Sequence, residues 1–266
     1  MRKKCDLINN KPIGIFDSGI GGVTVLEKIV NEFPNEDYVY LGDTKNCPYG
    51  IKTKEEIMSY VRHAIKYLEK QDVKMIVIGC NTATVNSYDV KSLVNIIRII
   101  EPTAKEALRI KNEKDKDGKI IVLATNYTID AKGYDRFLDG EMIGVRSSDF
   151  VPIAEKGLQN TDVSLKSCEE VLKDVKGKGK VIILGCTHFG LLENDIRKVL
   201  GDDIITVESS ACITQSVRDE LERVGYNEKT KTNDKGHISI SVTGKASDVH
   251  IEWFKKEYDG IFEVED

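Results

Sequence analysis

The sequence predicts an α/β protein made of two pseudo-symmetric three-layer domains with mainly parallel sheets. Three observations lead there. Strand-like and helix-like segments alternate nearly throughout the 266 residues, the pattern of repeated βαβ units. The strand-like runs are almost continuously apolar, as strands covered on both faces must be. Two of these runs also end alike, Met75-Ile76-Val77-Ile78-Gly79-Cys80-Asn81-Thr82 and Val181-Ile182-Ile183-Leu184-Gly185-Cys186-Thr187-His188, each passing through Gly-Cys into small polar residues.

Pro12 to Phe16 reads as the first strand, followed by a glycine-rich turn and a helix through Phe33. Tyr38 to Leu41 is the next strand, with the loop 42–50 behind it. A helix from Thr53 to Gln71 places Ile57, Val61, Ile65 and Leu68 on one face. The Cys80 strand follows, then a short helix and a strand from Ile96 to Ile100. Glu101-Pro102-Thr103 reads as a domain crossing, because the residue before a proline is driven out of helical geometry.

Beyond that crossing the pattern restarts. Lys119 to Ala124 is a strand with 125–128 as its loop, and Met142 to Val145 is another strand. A helical stretch carrying Glu155, a helix from Ser164 to Val175, the Cys186 strand and a strand from Ile204 to Val207 complete this portion. Lys229 to Gly236 reads as a surface loop, His237 to Val242 as a strand and Ala246 to Lys256 as a helix. This tail is expected to rejoin the first domain. The expected domains are therefore 1–102 with 214–266, and 103–213.

Apolar residues make up 40% and charged residues 31% of the chain, the balance of a soluble globular protein. A net charge of −5 gives no electrostatic footprint for nucleic acid. No apolar run is long enough to span a membrane. The basic start has no apolar stretch behind it, so no secretory signal is read and a cytoplasmic location is expected. Six cysteines are present without a Cys-x-x-Cys, and in a cytoplasmic chain they are expected to stay reduced.

Ligands of open α/β sheets bind beyond the carboxyl ends of the strands. Cys80 and Cys186, one from each half, are thus expected at the mouth of an interdomain cleft. Two thiols facing one substrate carbon are an acid and a base, and a reference pKa of about 8.5 leaves either form within reach near neutrality. Asp17 opens Asp17-Ser18-Gly19-Ile20-Gly21-Gly22 at a strand's carboxyl end. A tight turn explains the glycines but not the acid, and the run matches neither the dinucleotide nor the P-loop pattern.

The loop Asp43-Thr44-Lys45-Asn46-Cys47-Pro48-Tyr49-Gly50 is either a turn-rich connection or a carboxylate grip using backbone N–H groups and the Tyr49 hydroxyl. His188 is placed to orient or protonate a neighbour. His63, His237 and His250 read as surface or packing residues, and Cys5, Cys168 and Cys212 carry no such context. Zinc held by the two cysteines, His188 and Asp17 would draw its ligands from scattered loops with no spacing motif, so no metal is expected.

Taken in order, these motifs resemble the glutamate racemases of the cofactor-independent aspartate/glutamate racemase superfamily. The resemblance runs through Asp-Ser-Gly-Ile-Gly-Gly at 17–22, Gly-Asp-Thr and Pro-Tyr-Gly at 42–50, Gly-Cys-Asn-Thr-Ala at 79–83 and Ile-Glu-Pro at 100–102. It continues in Thr-x-x-Thr-Ile at 125–129, Phe-Val-Pro-Ile-Ala-Glu at 150–155, Gly-Cys-Thr-His at 185–188 and Val-Thr-Gly at 242–244. It implies two α/β domains with the active site between them, no cofactor, and racemisation of glutamate for peptidoglycan synthesis.

Cys80 and Cys186 would then be the two bases, with Asp17 assisting the first and His188 and Glu155 the second. Ser18, Pro48, Tyr49, Gly50, Asn81, Thr82, Thr125 and Thr187 would hold the substrate. The resemblance leaves a homodimer open as the assembly. The chain departs from the family at Gly190, where a proline is usual, at Arg146-Ser147-Ser148-Asp149, where Cys-Pro is common, at Ala131 in place of a frequent serine, and at Cys47, a third thiol. Racemisation of aspartate, or an inactive amino-acid-binding role, are the alternative readings.

Overall fold

The computed structural model describes residues 9–19 and 21–244, and the backbone of 261–264. The expected helix 246–256, with His250, lies outside the described residues, as do Cys5 and Ile20. The chain divides into two compact units, Met1–Arg98 with Ile213–Asp266, and Ile99–Cys212.

The first unit contains β1 (Ile13–Asp17), α1 (Val23–Glu32), β2 (Tyr38–Gly42), α2 (Lys54–Lys70), β3 (Met75–Ile78), α3 (Asn81–Val85) and β4 (Ile96–Arg98). The second holds α4 (Ile100–Lys114), β5 (Ile120–Ala124), α5 (Asn126–Asp130), α6 (Asp135–Leu138), β6 (Met142–Arg146), α7 (Phe150–Glu155), α8 (Asp162–Leu172), β7 (Val181–Gly185), α9 (Glu193–Leu200) and β8 (Ile205–Glu208). The helix α10 (Ser209–Val224) starts among the second unit's residues and ends among the first's. After it come α11 (Lys229–Thr232), β9 (Ile238–Val242) and β10 (Ile261–Val264).

Every described strand pair is parallel. The first sheet has the order β10-β9-β2-β1-β3-β4 and the second β6-β5-β7-β8. Within each, the first strand of the unit sits between its second and third, and the fourth lies outside the third. The two sheets therefore repeat one winding, and the first adds β9 and β10 at its β2 edge. In both, the point where the winding reverses lies between the first and third strands, the place at which open α/β sheets bind ligands.

The apolar runs become strands because helices cover both faces. In the second unit Ile121, Leu123, Ile182 and Leu184 pack with Phe150, Leu172, Ile196 and Leu200 from α7, α8 and α9, while α4 packs against β5, β7 and β8. In the first unit α2 buries Ile57, Val61, Ile65 and Leu68. Its start is set by a capping box, in which the Thr53 side chain accepts from the Glu56 amide and Glu56 accepts from the Thr53 amide. Gly14 lets this layer approach β1 closely, since a Cβ there would stand 3.1 Å from Val73.

At the amino end of this sheet Lys74 Nζ donates to Glu36 Oε2 (2.6 Å) and to the carbonyls of Asn9 and Gly225. Glu36 also accepts from the Asn227 amide. Both ionic side chains are essentially inaccessible to solvent, so this pair ties the chain before β1 and after α10 into one core.

Some local expectations are corrected. Glu101-Pro102-Thr103 is no break: it forms the first turn of α4, where a proline's missing N–H has no helical partner to lose. The expected strand Ile96–Ile100 accordingly ends at Arg98. Of the expected loop 125–128, Thr125 is the cap and 126–128 belong to α5, and Lys229–Thr232, within the expected loop 229–236, form a helical turn. The tail does rejoin the first sheet, through pairing of β9 with β2.

Candidate active site

In the first unit the chemistry gathers at the carboxyl ends of β1 and β3. Asp17, fully buried, ends β1 and accepts from the Gly19 amide at 3.1 Å and from Ser18 Oγ at 3.5 Å. Cys80 is the N-cap of α3, and its sulfur accepts from the Ala83 amide at 3.4 Å. Its thiol donates to Ser18 Oγ at 3.3 Å. A chain of contacts thus runs from the Cys80 sulfur through Ser18 to the Asp17 carboxylate. Asn81 and Thr82, both buried, follow in the first turn of α3.

Two neighbours shape this corner. The Tyr40 hydroxyl donates to the Gly19 carbonyl at 2.6 Å. A Cβ at Gly22 would fall 2.2 Å from Asp17 Cβ and 2.7 Å from the Tyr40 hydroxyl. Glycine is therefore required at 22 by the close approach of Asp17. Cys47 lies over the same turn, with its sulfur 3.0 Å from where a Gly19 Cβ would stand.

The loop after β2 corrects the expected use of Tyr49. Its ring is buried, and its hydroxyl donates to Asp43 Oδ2 at 2.5 Å. Burial, followed by the adjacent Asp43 carboxylate, drives the phenol pKa far upward. The hydroxyl is committed inside the protein, which leaves backbone groups, partly accessible at Pro48 and Gly50, as what Pro48-Tyr49-Gly50 can offer a ligand. His63 joins Asp43, Lys45, Asn46, Tyr60 and Thr243 around a cavity of about 370 Å³ behind this loop.

In the second unit the corresponding residues follow β5 and β7. Thr125 caps α5, accepting from the Thr128 amide at 3.3 Å, and the two threonine hydroxyls stand 3.0 Å apart. Cys186 Sγ lies 3.8 Å from His188 Nδ1, and His188 Nε2 lies 3.5 Å from Glu155 Oε1. Thr187, between them in sequence, is buried. An imidazole set between a thiol and a carboxylate can carry a proton to or from sulfur.

The turn after Cys186 is closed by backbone bonds from the Phe189 amide to the Cys186 carbonyl and from the Leu191 amide to the His188 carbonyl. A Cβ at Gly190 would stand 3.0 Å from Glu208 Oε1, so the Glu208 carboxylate occupies the space a larger residue would claim.

Cys80 and Cys186 hold equivalent positions, each following the third strand of its winding. The other cysteines differ. Burial, and then nearby carboxylates, push the Cys168 and Cys212 thiols up to about 12. Among the described residues no group of three or more His, Cys, Asp or Glu side chains is placed to hold a metal ion, and no helix is long and apolar enough to cross a membrane. The sequence assigns no role to Asp43, which it places only in a loop, or to Tyr40. Asp43 shows the signal that marked Asp17, an acid just after a strand, whereas Tyr40 reads as one more core residue.

The profile of the Asp/Glu/Hydantoin racemase family matches residues 13–217. The chain is 33% identical over 245 residues to glutamate racemase 2 of Caldanaerobacter subterraneus subsp. tengcongensis, covering 90% of each chain. Its fold matches the crystal structure of the glutamate racemase isoform RacE1 from Bacillus anthracis with a TM-score of 0.87 at 28% identity, covering 97% of this chain and 98% of that one. It also matches the glutamate racemase of Francisella tularensis in complex with D-glutamate, with a TM-score of 0.85 at 26% identity, covering 97% and 98%.

Proposed function

The chain belongs to the Asp/Glu/Hydantoin racemase family, and from that membership we propose that it interconverts L- and D-glutamate by a cofactor-independent, two-base mechanism. Cys80 and Cys186 act on opposite faces of the substrate's Cα. The observation that supports this most directly is their equivalence: each follows the third strand of the same winding. Each also stands beside its own proton-handling neighbours, Ser18 and Asp17 for one, His188 and Glu155 for the other.

Inverting Cα requires a proton to leave one face and another to arrive on the opposite face. The resting enzyme holds one cysteine as thiolate and the other as thiol, and the hand of the substrate decides which is which. The Ala83 amide supplies a hydrogen bond that a Cys80 thiolate accepts. On the other side His188 takes up or returns the Cys186 proton while Glu155 steadies the imidazolium.

The Cα proton is a very weak acid, so charge developing on the substrate must be met by aimed dipoles. Ser18, Asn81, Thr82 and the backbone of Pro48-Tyr49-Gly50 supply them in the first unit, and Thr125 and Thr187 in the second. In this reading the enzyme works in the cytoplasm, supplying D-glutamate for peptidoglycan.

Incubation with L- and with D-glutamate in D₂O tests the reading. Loss of optical rotation from both isomers, with deuterium entering the product at Cα, is expected. Absence of exchange from either hand would overturn glutamate as the substrate and bring aspartate forward.

A further inference from the structure

Two motifs of the sequence have no part in the chemistry above, Gly42-Asp43-Thr44 at the end of β2 and Val242-Thr243-Gly244 at the end of β9, and the fold brings them together. Asp43 is buried and accepts four hydrogen bonds. The Tyr49 hydroxyl donates to Oδ2 at 2.5 Å, Asn46 Nδ2 donates to both oxygens at 3.0 Å, and Thr243 Oγ1 donates to Oδ1. Thr243 lies 200 positions from Asp43 in the chain.

The Thr243 hydroxyl serves two partners, donating to Asp43 Oδ1 and accepting from the Lys45 amide at 3.2 Å. The Thr243 amide in turn donates to the Gly42 carbonyl. Three side chains thus converge on the two Asp43 oxygens, one from the loop itself, one from the following turn and one from the end of β9. The Tyr49 ring, which the carboxylate anchors through its hydroxyl, is lodged beside Phe16 and Tyr60 with centroids 6.3 and 5.5 Å away.

We propose that Asp43 and Thr243 are positioning residues of this site: together they clamp Tyr49 and so hold the Pro48-Tyr49-Gly50 backbone where the substrate's carboxylate is received. This rests on the glutamate reading for the identity of the substrate, but not for the clamp itself. The clamp touches no reacting atom. Its effect is to remove loop freedom before binding, which lowers the entropic cost of holding the substrate. A loop loosened by loss of the clamp binds substrate and transition state less well by a similar factor, so KM rises more than kcat falls.

Kinetics and amide hydrogen exchange of Thr243→Val, Thr243→Ser and Asp43→Asn, compared with the wild type, provide the test. Thr243→Val removes one hydrogen bond to the Asp43 side chain and is expected to raise KM for both isomers about tenfold, with kcat within about threefold. Thr243→Ser keeps the hydroxyl and is expected to retain the wild-type KM. Asp43→Asn places an amide donor among three converging donors and is expected to raise KM further.

Exchange of the amides of residues 45–50 in substrate-free protein should speed up in Thr243→Val and not in Thr243→Ser. A Thr243→Val protein with a lowered melting temperature but wild-type KM and wild-type exchange at 45–50 would overturn the proposal and leave the cluster a structural one. If the wild type fails to racemise glutamate, the function falls, while the exchange measurement still decides the clamp.

Discussion

His188 Nδ1 stands 3.8 Å from the Cys186 sulfur, whereas Cys80 meets a serine hydroxyl at 3.3 Å. The two thiols thus have chemically different partners although they occupy equivalent strand ends. An imidazole can hold a proton near neutral pH and a serine hydroxyl cannot, so in the proposed reaction the two sulfurs exchange protons beside different groups.

Replacing either sulfur should show that both are required. Cys80→Ser and Cys186→Ser are each expected to abolish racemisation in both directions, because an alcohol is far too weak an acid to exchange roles with a thiol. Polarimetry from each hand checks this, and near-full activity in either single variant contradicts the two-base assignment.

His188→Asn is expected to lower kcat/KM by about 10²-fold or more, the scale of general acid–base assistance. Enantiomers have equal free energies, so kcat/KM must fall by the same factor from L- and from D-glutamate. Any asymmetry has to appear in kcat and KM separately. Steady-state kinetics from both hands reads all of these, and a kcat/KM within threefold of wild type would show that the imidazole is a bystander.

Gly22→Ala puts a methyl group 2.2 Å from Asp17 Cβ and 2.7 Å from the Tyr40 hydroxyl. Because the obstacles are a strand-end side chain and a buried tyrosine, the turn has to move. A loss of about 1–3 kcal/mol is expected, together with at least a tenfold fall in kcat/KM as the Asp17–Ser18–Cys80 chain is displaced. Urea unfolding paired with kinetics checks it; an unaffected kcat/KM would mean that the geometry of this turn does not matter to catalysis.

Lys74→Met leaves the Glu36 carboxylate buried without its ammonium partner. Burial lowers the Lys74 pKa, and Glu36 opposes that shift. Breaking such a pair costs about 3–5 kcal/mol, while removing both charges costs less. The expected outcome in denaturant titrations is a Lys74→Met, Glu36→Gln double variant more stable than Lys74→Met alone. A double variant no better than the single one would refute the pairing energetics.

The thiols of Cys168 and Cys212, pushed up to about 12, should not react with a thiol reagent in the native protein at pH 8. Unfolded thiols titrate near about 8.5. The folded state therefore binds more protons than the unfolded state between that pH and about 12, and stability falls as pH rises through this window. Below about 8.5 the contribution is complete. Urea midpoints at pH 8 and pH 11 are expected to converge when both residues are changed to alanine, and an unchanged gap would place the alkaline sensitivity elsewhere.

What the sequence by itself determined is what neighbouring residues encode. The apolar runs became β1, β3, β5 and β7 because a buried parallel strand needs apolar side chains on both faces. The helix after Thr53 was legible because its face recurs every three or four residues, and Thr53 and Glu56 close its cap. Cys80, Cys186 and Asp17 could be picked out because each stands at the end of a run that reads as a strand.

Only the tertiary structure decided which strand lies beside which, that Pro102 sits in the first turn of a helix, and that the Tyr49 hydroxyl points to Asp43 and not outward. The reason is physical: periodicity and capping act over a few residues, whereas partners such as Asp43 and Thr243, 200 positions apart, meet only after β9 has paired with β2.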